Sequence, residues 1–162
     1  MGSGKTTVGR RVAAALGRRL LDSDEEVEAR TGRTVREIFE SDGEPAFRAE
    51  EAQALADALG DPQPAVVAAA GGVVLDPGNR SRLREAGTVV WLDAAPEELA
   101  RRVSTRGHRP LLGDDPLDAL RRLDVERRPL YAEVADHVVP VGAGRSVDDV
   151  VADVLALVGA AA

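Results

Sequence analysis

Short apolar runs alternate along the chain with longer stretches whose apolar positions recur at helical spacing. The runs are rich in Val, Leu and Ala, which is typical of strands buried on both faces of a parallel sheet. We predict strands at residues 20–24, 65–70, 88–93 and 138–141. We predict helices at residues 7–16, 25–30, 34–41, 46–59, 76–85, 117–134 and 147–158, and one beginning at 95. This alternation predicts a single α/β domain over residues 1–162.

Residues 106–116 break the pattern, because they have no hydrophobic periodicity and are rich in turn-forming residues. We predict that they form a lid over the site. In a parallel α/β sheet the ligand lies beyond the carboxyl ends of the strands. The polar residues that follow each predicted strand are therefore the first candidates for function.

Composition narrows the class of protein. Hydrophobic residues make up 44% of the 162 positions but aromatic residues only 2%, so the predicted core is built from Ala, Val and Leu. The net charge of −7 argues against a nucleic-acid-binding protein. Cysteine is absent, which excludes disulfides and thiolate metal sites. No apolar run approaches the length of a membrane span, so we expect a cytoplasmic protein without a membrane partner, and a monomer.

The first seven residues, MGSGKTT, contain the end of the phosphate-binding pattern G-x-x-x-x-G-K-[ST]. The glycines let backbone N–H groups turn towards an anion, and Lys5, the only lysine of the chain, suits the space between phosphates. The pattern predicts ATP contacts from Gly2, Ser3, Gly4, Lys5, Thr6 and Thr7. The first glycine of the motif and the strand that should lead into it are absent, so we expect a late start codon or a truncated chain.

Two further patterns contain candidate functional residues. Asp22 and Asp24 lie two residues apart at the end of a predicted strand, where they suit a metal site and a hydroxyl acceptor. The alternative is that one of them caps the helix predicted to begin at Glu25. Arg48 precedes Glu51 by three residues on a predicted helix, a spacing at which the carboxylate can hold the guanidinium in place.

These motifs together resemble the shikimate kinase family over nearly the whole chain. The matching segments are 2–9, 22–24, 47–51, 71–72, 109–112 and 127–131. The resemblance implies a three-layer P-loop kinase fold around a central parallel sheet whose first strand is truncated here. It also implies Mg²⁺-dependent transfer of the γ-phosphoryl group of ATP to the 3-hydroxyl of shikimate, a step of aromatic amino acid biosynthesis.

The resemblance also implies roles for individual residues. Thr6 and Asp22 correspond to the Mg²⁺ ligands, the aspartate through water. Lys5, Asp24 and Arg109 correspond to the catalytic residues, and Arg109 is the lid arginine that closes on the phosphates of ATP. The shikimate-binding positions are Asp24, Arg48, Gly71, Gly72 and Arg127. Arg145 corresponds to the region that flanks the adenine ring of ATP.

The chain departs from the family pattern at two places. Ala70 stands where the family usually has the first glycine of a glycine turn, and the central leading strand is missing. Two other functions remain open at this point. One is a different small-metabolite kinase, such as a gluconate kinase, and the other is a degenerate nucleotide-binding module without turnover.

Overall fold

The computed structural model describes residues 2–103, 115–142 and 144–159. Helices and strands alternate in it as the sequence predicts, with a short 3₁₀ turn at Val73–Leu75. The helices are α1 Lys5–Ala15, α2 Ser23–Thr31, α3 Val35–Leu59, α4 Pro77–Ala86, α5 Pro96–Val103, α6 Pro116–Val134 and α7 Val147–Gly159. The strands are β1 Arg19–Asp22, β2 Ala65–Ala68, β3 Val90–Asp93 and β4 His137–Pro140.

The four strands form two parallel pairs. In the first, β1 pairs with β2 from Arg19 opposite Ala65 to Asp22 opposite Ala68. In the second, β3 pairs with β4, which places Asp93 opposite Pro140. The parallel α/β architecture is therefore confirmed, although the strands of the described residues do not join into one sheet.

An apolar cleft of about 830 Å³ separates the two strand pairs. Residues of β2 and β3 line it from both sides, and α1 and α7 contribute Val12 and Val154. The cleft lies between β2 of one pair and β3 of the other. The residues of β2 and β3 that line it are half-buried, apart from the buried Ala68.

Local signals explain most element boundaries, although α1 and α2 each begin two residues before their predicted starts at residues 7 and 25. The predicted helix at 25–30 begins two residues earlier, at Ser23, because the Asp22 carboxylate accepts a hydrogen bond from the Asp24 N–H. The helices predicted at 34–41 and 46–59 run on as α3, with a kink at Gly43 (φ 82°) between them. A capping box of Thr34 and Glu37 starts α3.

The core consists of small aliphatic side chains, as the composition predicts. One cluster packs α1 against α7 through Val8, Val12, Val150 and Val154. The others join α3 to α4 and α6, and α2 to α3. Among the described residues no helix is long and apolar enough to cross a bilayer. The predicted lid, apart from residues 115 and 116, lies outside the described residues.

Candidate active site

The phosphate-binding loop leads directly into α1, and its glycines have the conformation that the motif requires. Gly2 and Gly4 have φ values of 73° and 90°, in the left-handed region that favours glycine. A side chain at Gly4 would meet no atom within 4 Å, so the requirement for glycine there is conformational and not steric. Gly4 precedes the first residue of α1, and the free N–H groups of that helix end suit an anion.

Lys5 and Thr6 face two carboxylates, that of Asp22 at the end of β1 and that of Asp24 in the first turn of α2. The Lys5 Nζ atom lies 3.4 Å from Asp24 Oδ2 and 3.6 Å from Asp22 Oδ1. The Thr6 hydroxyl donates to Asp22 Oδ2 at 2.5 Å. Asp22 is buried and also caps α2, so the helix-cap alternative is correct for this residue and does not exclude a metal role. The structure thus brings together the residues predicted for phosphate, metal and hydroxyl contacts.

Arg48 lies on α3 between two carboxylates. Its Nη1 donates to Glu51 Oε2 at 2.7 Å, which is the contact that the sequence spacing predicts. Its Nε and Nη2 donate to Glu44 Oε1 at 3.2 and 2.9 Å. Glu51 is only 2% exposed, and this burial raises the pKa of its carboxyl, while the charge of Arg48 opposes the rise. Glu51 therefore fixes Arg48 from the buried side, and the more exposed Glu44 holds it from outside.

The glycine turn that follows β2 lies directly against Arg48. A methyl group at Gly72 would lie 2.6 Å from Arg48 Cζ, so only glycine leaves room for the guanidinium in this position. A cavity of about 460 Å³ opens here, lined by residues that include Glu44, Arg48, Glu51 and Gly72. The predicted substrate positions on α3 and on the turn are therefore in contact.

Arg127 lies on α6, and one nitrogen of its buried guanidinium lacks a hydrogen-bond acceptor among the described residues. The residue is 8% exposed, and its Nε atom finds no hydrogen-bond acceptor in the described parts of the chain. The nearest carboxylate, from Glu126, is 3.8 Å from Nε, which is an ion-pair distance and too long for a hydrogen bond. A buried, unsatisfied guanidinium N–H is costly, so an acceptor from a ligand is the expected partner. Burial raises the pKa of the Glu51 carboxyl, and the charge of Arg127 opposes that rise, as the charge of Arg48 does.

All the predicted ATP contacts, from residues 2–7 as well as from Arg145 and Arg109, remain predictions. Arg145 lies in the segment after β4, where it donates to the Pro140 carbonyl at 3.1 Å and pairs with Asp153. Arg109 lies outside the described residues. No role was predicted for Ser23, Glu44 or Tyr131. Of these, only Glu44 could have been found from the sequence, because it precedes Arg48 by four residues, a helical spacing at which the two side chains can form an ion pair.

Comparison with known proteins agrees with this geometry. The family model described as shikimate kinase matches residues 1–158. A shikimate kinase of Symbiobacterium thermophilum is 51% identical over 159 residues, covering 96% of this chain and 90% of the relative. One of Paracidovorax citrulli is 47% identical and covers 90% of this chain and 81% of the relative.

Solved structures give the same result. Shikimate kinase from Acinetobacter baumannii in complex with shikimate superimposes with a TM-score of 0.93 at 39% identity, over 99% of this chain and 89% of that chain. Shikimate kinase from Aquifex aeolicus superimposes with a TM-score of 0.82 at 33% identity, over 99% of this chain and 94% of that chain. Because the family model matches residues 1–158 and a curated relative is 51% identical over 96% of this chain, the chain belongs to the shikimate kinase family.

Proposed function

We propose that this chain transfers the γ-phosphoryl group of ATP to the 3-hydroxyl of shikimate. The observation that carries the proposal is the buried Nε of Arg127, which has no acceptor among the described residues. A kinase for an uncharged sugar would have no reason to bury a guanidinium N–H that lacks a hydrogen-bond acceptor, because an unsatisfied buried polar group costs free energy. A substrate carboxylate satisfies it.

Arg48 is the second candidate for that carboxylate. Guanidinium groups bind carboxylates through two parallel hydrogen bonds, which fixes orientation as well as charge. The Glu51 contact leaves the Nε and Nη2 edge of Arg48 directed towards Glu44, whose side chain is 47% exposed. Exposed ion pairs are weak, so a substrate carboxylate can replace Glu44 at this edge. Shikimate would then lie over Gly71 and Gly72 between the two arginines.

Asp24 is proposed to orient the reacting hydroxyl. In the structure its Oδ2 is 3.4 Å from Lys5 Nζ, so the carboxylate lies beside the lysine that would contact the transferred group. In the reaction the hydroxyl oxygen forms a bond to the γ-phosphorus, the bond from that phosphorus to ADP breaks, and the hydroxyl proton passes to Asp24. Lys5 would neutralise charge on the phosphoryl oxygens, and Arg109 would do the same from the lid.

The residues present fit a nucleotide-bound Mg²⁺ ion. The described residues contain no cluster of three or more His, Cys, Asp or Glu that could hold a metal by itself. Mg²⁺ in kinases is typically held by one or two protein oxygens together with the phosphates. Thr6 Oγ1 and Asp22 Oδ2, which are 2.5 Å apart, provide that small oxygen set. When bound, the ion would neutralise negative charge on the β- and γ-phosphates.

The test is ADP release by the purified chain with ATP and Mg²⁺, in parallel reactions with shikimate, with gluconate and without an acceptor. We expect release only with shikimate. Release with gluconate alone would favour the other small-metabolite kinase. ATP binding without release in any reaction would favour the binding module. An Arg127→Met variant, which keeps much of the side chain and removes the charge, should lose shikimate-dependent release while it still binds ATP.

A further inference from the structure

The turn that follows β2 is held from two sides by hydroxyl groups that belong to different parts of the chain. On one side, the Ser23 hydroxyl accepts a hydrogen bond from the Ala70 N–H at 2.8 Å and donates to the Ala68 carbonyl at 3.4 Å. On the other, the Tyr131 hydroxyl donates to the Gly71 carbonyl at 2.8 Å. Consecutive residues of the turn, 70 and 71, are thus anchored to α2 and α6 respectively.

We propose that Ser23 and Tyr131 are positioning residues for the acceptor substrate, an inference that rests on the proposed function. Neither is assigned a contact with substrate. Their shared effect passes through the turn, because Gly72 packs against Arg48 and a displaced turn would displace that guanidinium. The Tyr131 hydroxyl also interacts directly with Arg127, so it helps to position both arginines.

The location of each anchor supports this role. Ser23 is 1% exposed and stands between Asp22 and Asp24, so its hydroxyl ties the carboxylate segment to the turn. Tyr131 stands one helical turn after Arg127, so its hydroxyl ties the second arginine's helix to the same turn. The four groups proposed to surround shikimate, Asp24, Arg48, Arg127 and the turn, are thereby fixed relative to one another.

The packing around Tyr131 allows the contribution of its hydroxyl to be tested separately from that of its ring. Its ring contacts Trp91, with a centroid separation of 5.6 Å, so the ring is held independently of the hydroxyl. A methyl group at Gly71 would lie 2.8 Å from the Tyr131 oxygen, so the residue at 71 must remain glycine for the hydroxyl to reach its carbonyl. Removing only the hydroxyl therefore frees the turn without opening a cavity in the core.

The experiment compares Ser23→Ala and Tyr131→Phe with the matched control Thr31→Val. The Thr31 hydroxyl also joins a backbone carbonyl, of Val27 at 2.8 Å, to a backbone N–H, of Arg33 at 3.3 Å, but it lies at the far end of α2. Steady-state kinetics with each substrate, ATP titration and thermal unfolding are measured for all three variants.

We expect Ser23→Ala and Tyr131→Phe to raise the KM for shikimate about tenfold, the effect of one lost buried hydrogen bond, with ATP affinity unchanged. Thr31→Val should lower the thermal midpoint and leave both KM values as in the wild type. A folded Tyr131→Phe variant with a wild-type KM for shikimate would overturn the inference, as would equal losses for both substrates. If the Ser23→Ala variant does not fold, the kinetics of Tyr131→Phe decide the test. Absence of shikimate turnover in the wild type would instead refute the proposed function.

Discussion

Replacing Gly72 by alanine should weaken shikimate binding, because the added methyl group displaces Arg48. The backbone at Gly72 has a φ of −82°, which any residue adopts, so the substitution introduces no backbone strain. The added methyl group would lie 2.6 Å from Arg48 Cζ and 2.9 Å from Nη2. Non-bonded carbon atoms prefer about 3.5–4.0 Å, so the guanidinium must move by roughly 1 Å or more.

That movement is large compared with the tolerance of a hydrogen bond. A hydrogen bond to a charged group contributes about 1.5–3 kcal/mol, so a misplaced Arg48 should raise the KM for shikimate about 10- to 100-fold. The displacement also disturbs the bond to the buried Glu51, so the thermal midpoint should fall. The three atoms nearest to the added methyl group all belong to Arg48 and none to the phosphate-binding loop, so ATP affinity should be unchanged.

The matched control is Gly60→Ala. Gly60 also has a φ of −82°, and a methyl group there would meet only backbone oxygens of α3, the closer being that of Ala56 at 3.1 Å. The assay is steady-state kinetics with each substrate varied in turn, together with ATP titration. Gly60→Ala should keep the wild-type KM for shikimate. A wild-type KM for shikimate in folded Gly72→Ala, or equal losses for shikimate and ATP, would refute the reasoning.

Four further predictions follow from the same contacts. Lys5→Ala should lower kcat by about 10²–10³, since a preorganised cation is removed, with the fold intact by circular dichroism. Arg127→Lys should raise the KM for shikimate and not that for ATP, because an ammonium cannot replace the two-pronged guanidinium; equal effects would contradict this. Asp24→Asn should lower kcat but not the thermal midpoint, because Asp22 is the residue that caps α2; a wild-type kcat would exclude the proton acceptor role. Glu44→Ala should improve the KM for shikimate about twofold, since it removes a competing exposed ion pair; a higher KM would place Glu44 in contact with substrate instead.

The parts of the site that the sequence predicted are those encoded locally. The loop glycines, the Asp22 and Asp24 pair and the Arg48–Glu51 contact each depend on residues within a few positions of one another. Local signals also predict most helix and strand positions. The start of α2 was predicted wrongly because an aspartate two residues before Asp24 can begin a helix as well as end a strand.

The parts that escaped prediction depend on contacts between distant segments. The partners of Ser23 and Tyr131 in the turn are 47 and 60 residues away, and no periodicity or spacing encodes such pairs. The burial of Arg127 Nε without a hydrogen-bond acceptor likewise exists only after α6 has packed in the folded chain. The pairing of the strands, β1 with β2 and β3 with β4, also escaped prediction. An apolar run in the sequence indicates a buried strand but does not indicate which other strand lies beside it.

The most direct test of the central claim is to follow the phosphoryl group itself. ATP labelled at the γ-phosphate is incubated with the purified chain, Mg²⁺ and shikimate, and the position of the label is determined by phosphorus–proton correlation NMR. We expect the label on the oxygen of the 3-hydroxyl of shikimate, and no such product with Arg127→Met. Label that appears only in inorganic phosphate, or on a different hydroxyl of shikimate, would contradict the account.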